Sequence, residues 1–263
     1  MTSPLIAVVL GIIEGLTEFL PVSSTGHLII AGHVFGFTGP KADTFEIVIQ
    51  LGAILAVLVL YRRTFWSLVR PTRERFSGFY GVLLLGLTTL PPAVLGLIAH
   101  SYIKEYLFSP VTVAVALIVG ALGILAVEFS GIRPKVFHRN ALHPLTALGI
   151  GCFQCLALWP GFSRSAATIM GGIVLGVERK VATEYSFLAA VPLMCAATGY
   201  DLLKNWQLFS GDDVTVLGIG FGVSFIAALL AIRGFIHVVS RFTLQPFAWY
   251  RLALAPVVLW FFW

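Results

Sequence analysis

Charged residues are what this sequence most lacks. Asp, Glu, Lys and Arg make up 11% of its 263 residues and hydrophobic residues make up 58%, with a mean hydropathy of +0.94. Soluble domains carry about 25% charged residues. The composition therefore excludes an ordinary soluble domain and indicates an integral membrane protein.

Cysteines are few, and a basic leader is missing. The three cysteines include a Cys152-x-x-Cys155 pair, but this pair lies in an apolar stretch without the context of a thioredoxin-like site. We therefore predict that all three are packing thiols. The first 20 residues contain two glutamates and no Lys or Arg. They lack the basic start of a signal peptide, and we expect them to remain in the mature chain.

The long apolar segments predict an all-α polytopic membrane protein. Residues 111–127 and 214–232 are almost continuously apolar, whereas the strands of a β-barrel alternate apolar and polar residues. Six segments have about the 20 residues that a transmembrane helix needs. They are 45–62, 80–100, 111–129, 183–203, 214–236 and 246–263.

Two further apolar regions are interrupted midway. Residues 4–35 break just before Pro21, and residues 144–176 break just after Pro160, so that each half is too short or too polar to span alone. Broken backbone is tolerated at membrane depth only inside protein or beside a water-filled cavity. We therefore predict two re-entrant helical hairpins in addition to the six transmembrane helices.

The two hairpins resemble each other in sequence. Each is followed by three predicted spans, an odd number, so the second half starts on the opposite side of the membrane. We predict one membrane domain, 1–263, made of two inverted repeats of about 1–130 and 140–263, with both hairpin tips near the midplane. A shift of 140 residues places Gly11 on Gly151, Glu14 on Gln154, Leu16 on Leu156, Phe19 on Trp159 and Ser23 on Ser163.

Basic residues are unevenly divided between the loops on the two predicted sides. One side holds Lys41, Lys104 and Lys204, and the other side holds twelve. By the positive-inside rule the richer side is cytoplasmic, which places both termini and the entrance of the first hairpin on the outer face. Topology thus explains the net charge of +5, which gives no support for a nucleic-acid partner. The twelve are Arg62, Arg63, Arg70, Arg73, Arg75, Arg133, Lys135, Arg139, Arg179, Lys180, Arg233 and Arg241.

An acidic pair lies in the first hairpin. Glu14 and Glu18 are four residues apart, so on a helix both carboxylates project from one face. Two like charges this close inside a membrane need a cation or a basic side chain to compensate them. A hard divalent cation fits two carboxylates. The alternative is a structural pair that accepts hydrogen bonds from loop amides.

Hydroxyl side chains open the second half of this hairpin. Ser23 is the expected N-cap, and the helix start it creates is a natural anion site. His27 falls three residues after Ser24, so the two can share a helix face, as a nucleophile and its general base must. The alternative for His27 is an ordinary core residue.

The second hairpin supplies a positive charge. Arg164 is the only Lys or Arg in either hairpin, and Ser163 and Ser165 flank it. A buried arginine needs an anionic partner, which is either a hairpin glutamate or a phosphate that the guanidinium grips with two hydrogen bonds. Taken together, the hydroxyls, the carboxylates, the histidine and the arginine predict a phosphoryl-transfer site recessed in the membrane.

These residues carry a family resemblance over nearly the whole chain. Glu14-x-x-x-Glu18, the run Phe19 to His27 and the run Pro160 to Thr168 strongly resemble the two signature motifs of the bacterial undecaprenyl pyrophosphate phosphatase family, of the bacitracin-resistance type. The resemblance implies hydrolysis of undecaprenyl diphosphate to undecaprenyl phosphate and inorganic phosphate, which recycles the lipid carrier for cell-wall synthesis. It also implies a homodimer in the bacterial inner membrane, with a site open to the periplasmic side.

The resemblance also implies a role for each motif residue. Glu14 and Glu18 would hold a divalent cation, Mg²⁺ or Ca²⁺, and Glu18 would also handle protons. Ser24 would be the nucleophile, His27 the general acid and base, and Arg164 the phosphate clamp. The remaining hydroxyls would bind substrate: Ser23, Thr25, Ser163, Ser165 and Thr168.

Two other functions share part of this pattern. A transporter or flippase for an isoprenoid phosphate lipid shares inverted repeats and broken helices, but it has no use for a Ser and a His on one helix face beside two carboxylates. Membrane type-2 phosphatidic acid phosphatases need a histidine six residues after the arginine of their Ser-Arg motif, where this chain has Met170. The residues therefore favour the first phosphatase family.

Overall fold

A computed structural model describes residues 3–107, 109–205 and 213–262 of the chain. The described residues are helical apart from turns, loops and one isolated bridge between Val136 and Val177. The helices are α1 (Pro4–Thr17), α2 (Ser24–Val34), α3 (Pro40–Leu60), α4 (Arg62–Val69), α5 (Gly78–Ile98), α6 (His100–Tyr102), α7 (Pro110–Phe129), α8 (Pro144–Gln154), α9 (Arg164–Val174), α10 (Arg179–Asn205), α11 (Asp213–Val239) and α12 (Gln245–Phe262). Shorter π and 3₁₀ turns cover Ile103–Leu107, Arg139–Ala141 and Cys155–Leu158.

Five of the described helices, α3, α5, α7, α10 and α11, are long and apolar enough to cross a membrane. They coincide with five of the six predicted spans, and together they indicate a multi-pass membrane protein. The sixth predicted segment, 246–263, forms α12 up to Phe262, with residue 263 outside the described part. This helix is not among the five, because Gln245 and Arg251 lower its apolarity.

The two interrupted regions are broken where the sequence predicts. Helices α1 and α2 have 14 and 11 residues and are separated by the turn 18–23, while α8 and α9 have 11 residues each and are separated by 155–163. At 1.5 Å per residue the longest of the four is about 21 Å, short of the roughly 30 Å hydrocarbon core.

Glycines let the broken helices approach their neighbours closely. Helix α1 packs on α11 and α8 packs on α5. A Cβ added at Gly11 would lie 2.7 Å from the carbonyl oxygen of Gly220, and one at Gly151 would lie 2.7 Å from that of Thr88. Because neither position has room for a side chain, helix backbones pack directly against each other there, as is typical of membrane helices.

Apolar side chains cover the outside of the protein as well as its core. Leu97, Ile98, Phe79 and Trp260 are among the most exposed side chains. Surfaces this apolar mark contact with lipid or another protein. The largest buried cluster surrounds the two breaks, where the rings of Phe19 and Phe187 meet edge to face with centroids 5.4 Å apart.

Candidate active site

The first break ends in a strained serine. Ser23 has φ 71° and ψ 99°, in a region that residues other than glycine rarely adopt. Its Oγ accepts a hydrogen bond from the Gly26 amide at 3.3 Å, so Ser23 caps α2, as the sequence predicted. Helix α2 therefore begins at Ser24 and presents that hydroxyl at its N-terminus.

The second break repeats this geometry 140 residues later. Ser163 has φ 76° and ψ 118°, and its Oγ accepts from the Ala166 amide at 3.3 Å. Helix α9 therefore begins at Arg164. The same position in the two halves carries a hydroxyl in one and a guanidinium in the other. Strained non-glycine residues cluster at functional sites, and here the strain sits just before both groups.

A hydrogen bond joins the two breaks directly. Ser165 Oγ donates to the carbonyl of Leu20 at 2.8 Å and lies 3.0 Å from Ser163 Oγ. Ser165 is fully buried. Its hydroxyl therefore links the two turns to each other.

One carboxylate brings the two helix starts together. Ser24 Oγ donates to Glu18 Oε2 at 2.7 Å, and Arg164 Nη2 donates to Glu18 Oε1 at 3.2 Å. Side-chain exposure is 10% for Arg164 and 8% for Glu18. The pair is shielded from solvent, so its charge-assisted bonds are stronger than those of exposed pairs.

Arg164 is held from a second side by α10. Its Nη1 donates to the carbonyl of Ser186 at 3.1 Å, and Thr168 Oγ1 lies 2.6 Å from Ser186 Oγ while donating to the Arg164 carbonyl at 2.9 Å. The guanidinium also lies over the Phe19 ring, 5.5 Å from its centroid. Within the described residues its buried Nε has no hydrogen-bond partner, so that N–H lacks an acceptor.

His27 has partners other than Ser24. Its Nδ1 lies 2.7 Å from the carbonyl oxygen of Ser23, and its Nε2 lies 2.6 Å from the hydroxyl of Tyr250. A carbonyl only accepts, so Nδ1 carries a proton, and in the neutral ring Nε2 accepts from Tyr250. The two rings are parallel, with centroids 5.6 Å apart. The sequence pointed to a Ser24–His27 pair, whereas the hydrogen bond of Ser24 goes to Glu18.

Glu14 lies beside this group of side chains but forms no side-chain hydrogen bond with them in the described part of the chain. Its side chain is 1% exposed, and within the described part of the chain its Oε1 has no hydrogen-bond partner. No group of three His, Cys, Asp or Glu side chains that could hold a metal occurs among the described residues. Mg²⁺ is often bound by one or two carboxylates together with substrate phosphate oxygens, and the unpartnered Glu14 oxygen fits that kind of site.

Several residues outside the two sequence motifs contact this site. Tyr250 and Arg251 lie on α12, and Ser186 lies on α10. Arg251 had a detectable signal, because it is a charge inside a predicted span and such residues are functional by default. Nothing in the sequence marks Tyr250 or Ser186 as a site residue. Thr25, a predicted site residue, is half-buried next to Ser24.

The fold and the site define a multi-pass membrane protein that brings a hydroxyl, a carboxylate and a guanidinium together between two broken helices. The chain belongs to a known family, since the model for bacitracin resistance protein BacA matches residues 7–257. It is 62% identical over 264 residues to an undecaprenyl-diphosphatase of Maridesulfovibrio salexigens, covering 100% of both chains. The chain is 62% identical over 262 residues to the undecaprenyl-diphosphatase of Nitratidesulfovibrio vulgaris strain Hildenborough, covering 99% of each chain. The chain is 54% identical over 256 residues to the undecaprenyl-diphosphatase of Lawsonia intracellularis, covering 96% of each chain.

Proposed function

We infer that this chain hydrolyses undecaprenyl diphosphate to undecaprenyl phosphate and inorganic phosphate, and thereby confers resistance to bacitracin. The observation that carries this function is the Glu18 carboxylate, which the Ser24 hydroxyl and the Arg164 guanidinium share. A hydroxyl bonded to a base beside a phosphate-binding guanidinium is suited to phosphoryl transfer. The name undecaprenyl-diphosphatase, carried by relatives at 62% identity, supplies the substrate.

Glu18 is the proton acceptor that the geometry favours for Ser24, because its Oε2 already receives the Ser24 hydroxyl at 2.7 Å. In the proposed reaction Ser24 Oγ bonds to the terminal phosphorus, its proton passes to Glu18, and undecaprenyl phosphate leaves. Water then attacks the phosphorus of the phosphoserine, the phosphorus–Oγ bond breaks, Glu18 returns its proton to Oγ, and inorganic phosphate leaves. The Arg164 Nε–H and the amides that open α2 and α9 bind the phosphoryl oxygens.

The resemblance gives His27 an acid–base role, and this role stays a prediction. Its Nδ1 is fixed by the Ser23 carbonyl, so Nε2 is the atom that exchanges a proton. That atom now contacts the Tyr250 hydroxyl, which can pass a proton to or from it. Ser23, Thr25, Ser163 and Ser165 remain proposed substrate contacts through their position at the two helix starts, and Thr168 remains one through its hydrogen bond to the Arg164 carbonyl.

A divalent cation, Mg²⁺ or Ca²⁺, is proposed to bind at Glu14. Both oxygens of Glu18 already have protein partners, whereas Glu14 has a buried oxygen without one. The substrate diphosphate would complete the coordination, as is common for Mg²⁺. When bound, the cation would neutralise charge on the diphosphate.

We propose that the chain is a single domain of two inverted repeats, about 1–130 and 140–263, with six spans and two re-entrant hairpins. The matching breaks, the matching capped serines and the matching glycine contacts of α1 and α8 support it. The twelve-to-three division of loop charges supports a cytoplasmic side opposite both termini and a site open to the periplasm. The side chains of Lys104 and Lys204 lie outside the described residues.

Phosphate release from undecaprenyl diphosphate, measured on the detergent-solubilised protein with and without a chelator, tests the function. We expect release without any membrane gradient, and its loss on chelation. A transporter or flippase would bind the lipid but release no phosphate. The homodimer implied by the resemblance is tested separately by the molecular mass of the solubilised protein.

A further inference from the structure

Arg251 is the largest fully buried side chain in the described part of the protein, with 0% exposure in the middle of α12. A guanidinium has five N–H donors. All five donate to backbone carbonyls: Nε to Leu117 at 3.1 Å, Nη1 to Pro21 at 3.3 Å and Phe162 at 2.8 Å, and Nη2 to Ala116 at 3.1 Å and Gly161 at 3.2 Å.

The five carbonyls belong to the three elements that meet at the site. Pro21 lies two residues before the strained Ser23, and Gly161 and Phe162 directly precede the strained Ser163. The other two carbonyls are on α7. One side chain of α12 therefore joins both breaks to a spanning helix. No ion pair to Arg251 occurs within the described residues, so carbonyl dipoles and the Phe162 ring, whose centroid lies 6.0 Å from Cζ, compensate its charge.

We propose that Arg251 is a positioning residue for the proposed phosphatase reaction, on which this inference rests. It holds the two turns at a fixed separation, so that Ser24 and Arg164 both reach the carboxylate of Glu18. Ser24 follows the first turn, and Arg164 follows the second. In the described part of the chain no hydrogen bond or ion pair joins Arg251 to either of them. Its effect on the reaction is exerted entirely through the backbone of the two turns.

The five hydrogen bonds require the planar guanidinium of arginine, and they also require a residue without a side chain at position 120. Lysine has only three donors around a single nitrogen and cannot bond five carbonyls spread over three elements. Gly120 of α7 lies next to the guanidinium, where an added Cβ would collide with Nη2 and lie 2.8 Å from Cζ and 3.2 Å from the Phe162 carbonyl oxygen that Nη1 binds. Gly120→Ala therefore displaces Arg251 without removing its charge.

Helix α7 offers a matched control. At Gly123, a Cβ would meet the Met170 side chain at 3.3 Å and no backbone atom within 4 Å. Both Gly→Ala changes raise helix propensity equally. A difference in activity between the two variants therefore reports on the position of the Arg251 guanidinium and the carbonyls that it binds. Arg251→Lys completes the set by keeping the charge and removing the fork.

The test measures kcat and KM for phosphate release from undecaprenyl diphosphate by the full-length solubilised protein, together with melting temperature. A displacement of about 1 Å at a reacting group can lower turnover roughly 100-fold, so we expect Gly120→Ala and Arg251→Lys to lose at least about 10-fold in kcat, with KM within about threefold. Gly123→Ala should match the parent. A folded Gly120→Ala with the kcat of Gly123→Ala, a full kcat in Arg251→Lys, or a change in KM alone would overturn the proposal.

Hydrogen exchange gives a second reading that does not depend on activity. The Gly26 and Ala166 amides are bonded to Ser23 and Ser163, so segments 18–27 and 159–168 should exchange faster in Gly120→Ala than in Gly123→Ala. Equal exchange in the two variants contradicts the proposal. Absence of phosphate release from the unsubstituted protein would instead contradict the proposed function, and the exchange comparison would still decide the role of Arg251.

Discussion

Two glutamates that look alike in the sequence are unlike in their surroundings. Both oxygens of Glu18 are engaged by side chains from the two helix starts, whereas Glu14 Oε1 is buried without a partner among the described residues. A carboxylate that is already shared by a hydroxyl and a guanidinium is suited to move a proton. One that has an unpartnered oxygen is suited to bind a cation.

The amide variants separate these two roles. Glu14→Gln keeps the shape and removes the charge that holds a hard ion, so we expect the Mg²⁺ concentration for half-maximal activity to rise at least about 10-fold. Glu18→Gln should lower kcat about 100-fold or more at saturating Mg²⁺, because Ser24 loses its proton acceptor. A metal titration of phosphate release on both variants checks this. Identical titrations for Glu14→Gln and the parent would show that the cation is held elsewhere.

The adjacent residues Ser23 and Ser24 should also have different roles, one in stability and the other in catalysis. Ser23→Ala removes a capping hydroxyl worth about 1 kcal/mol of stability, so we expect a lower melting temperature with activity partly retained. Ser24→Ala should be nearly inactive with a melting temperature like that of the parent, because it removes the proposed nucleophile. Both quantities are measured on both variants. The reverse pattern would assign the chemistry to Ser23.

Arg164→Lys tests the guanidinium. An ammonium carries its three N–H donors on one nitrogen, so it cannot hold Glu18 and Ser186 through separate nitrogens while a third nitrogen faces phosphate. Loss of an arginine of this kind lowers turnover by roughly 10³. Arg179→Lys is the control, because Arg179 also bonds a carboxylate, Glu128, and a carbonyl, Phe242, away from the two breaks. We expect the control to keep its rate of phosphate release. Equal rates in the two variants would exclude a phosphate clamp at Arg164.

At the scale of helices, the broken segments depend on close backbone contacts. Gly11 and Gly151 occupy equivalent positions in the two halves, and each faces a carbonyl oxygen of the helix it packs against. Backbone that approaches this closely cannot move aside in the way that a side-chain end can. Such contacts fix how far each broken helix enters between its neighbours.

Gly151→Ala should therefore destabilise the protein by about 1–3 kcal/mol through overpacking against Thr88 and Leu87. Gly86→Ala, on the partner helix α5, has no atom within 4 Å of the added Cβ and should be neutral or stabilising by up to about 1 kcal/mol. Thermal unfolding in one detergent compares the two directly. A Gly151→Ala melting temperature at or above that of Gly86→Ala would show that α8 is free to shift.

At the scale of the whole molecule, the orientation in the membrane follows from loop charge. We expect a membrane-impermeant thiol reagent to label Thr38→Cys in intact spheroplasts and Ser130→Cys only after permeabilisation, in a background without the three natural cysteines. Thr38 and Ser130 are both exposed and lie in loops on the two proposed sides. Labelling in the opposite order would invert the orientation and place the site on the cytoplasmic side.

The sequence by itself determined the class of protein, five of the long apolar helices, the positions of both breaks and the two clusters of polar residues. These features are local, because the length of an apolar run, a proline and a capping serine act within a few residues of the chain. The capping role of Ser23 followed from the same local logic, and the structure confirms it.

Only the tertiary structure decided which of these side chains meet. Ser24 pairs with Glu18 across a turn whose shape depends on the strained Ser23, so helical spacing to His27 could not reveal the pairing. Arg164 is 146 residues from Glu18, Tyr250 is 223 residues from His27, and Arg251 is 230 residues from Pro21. Contacts at such separations are set by how helices pack, which periodicity within a single segment does not encode.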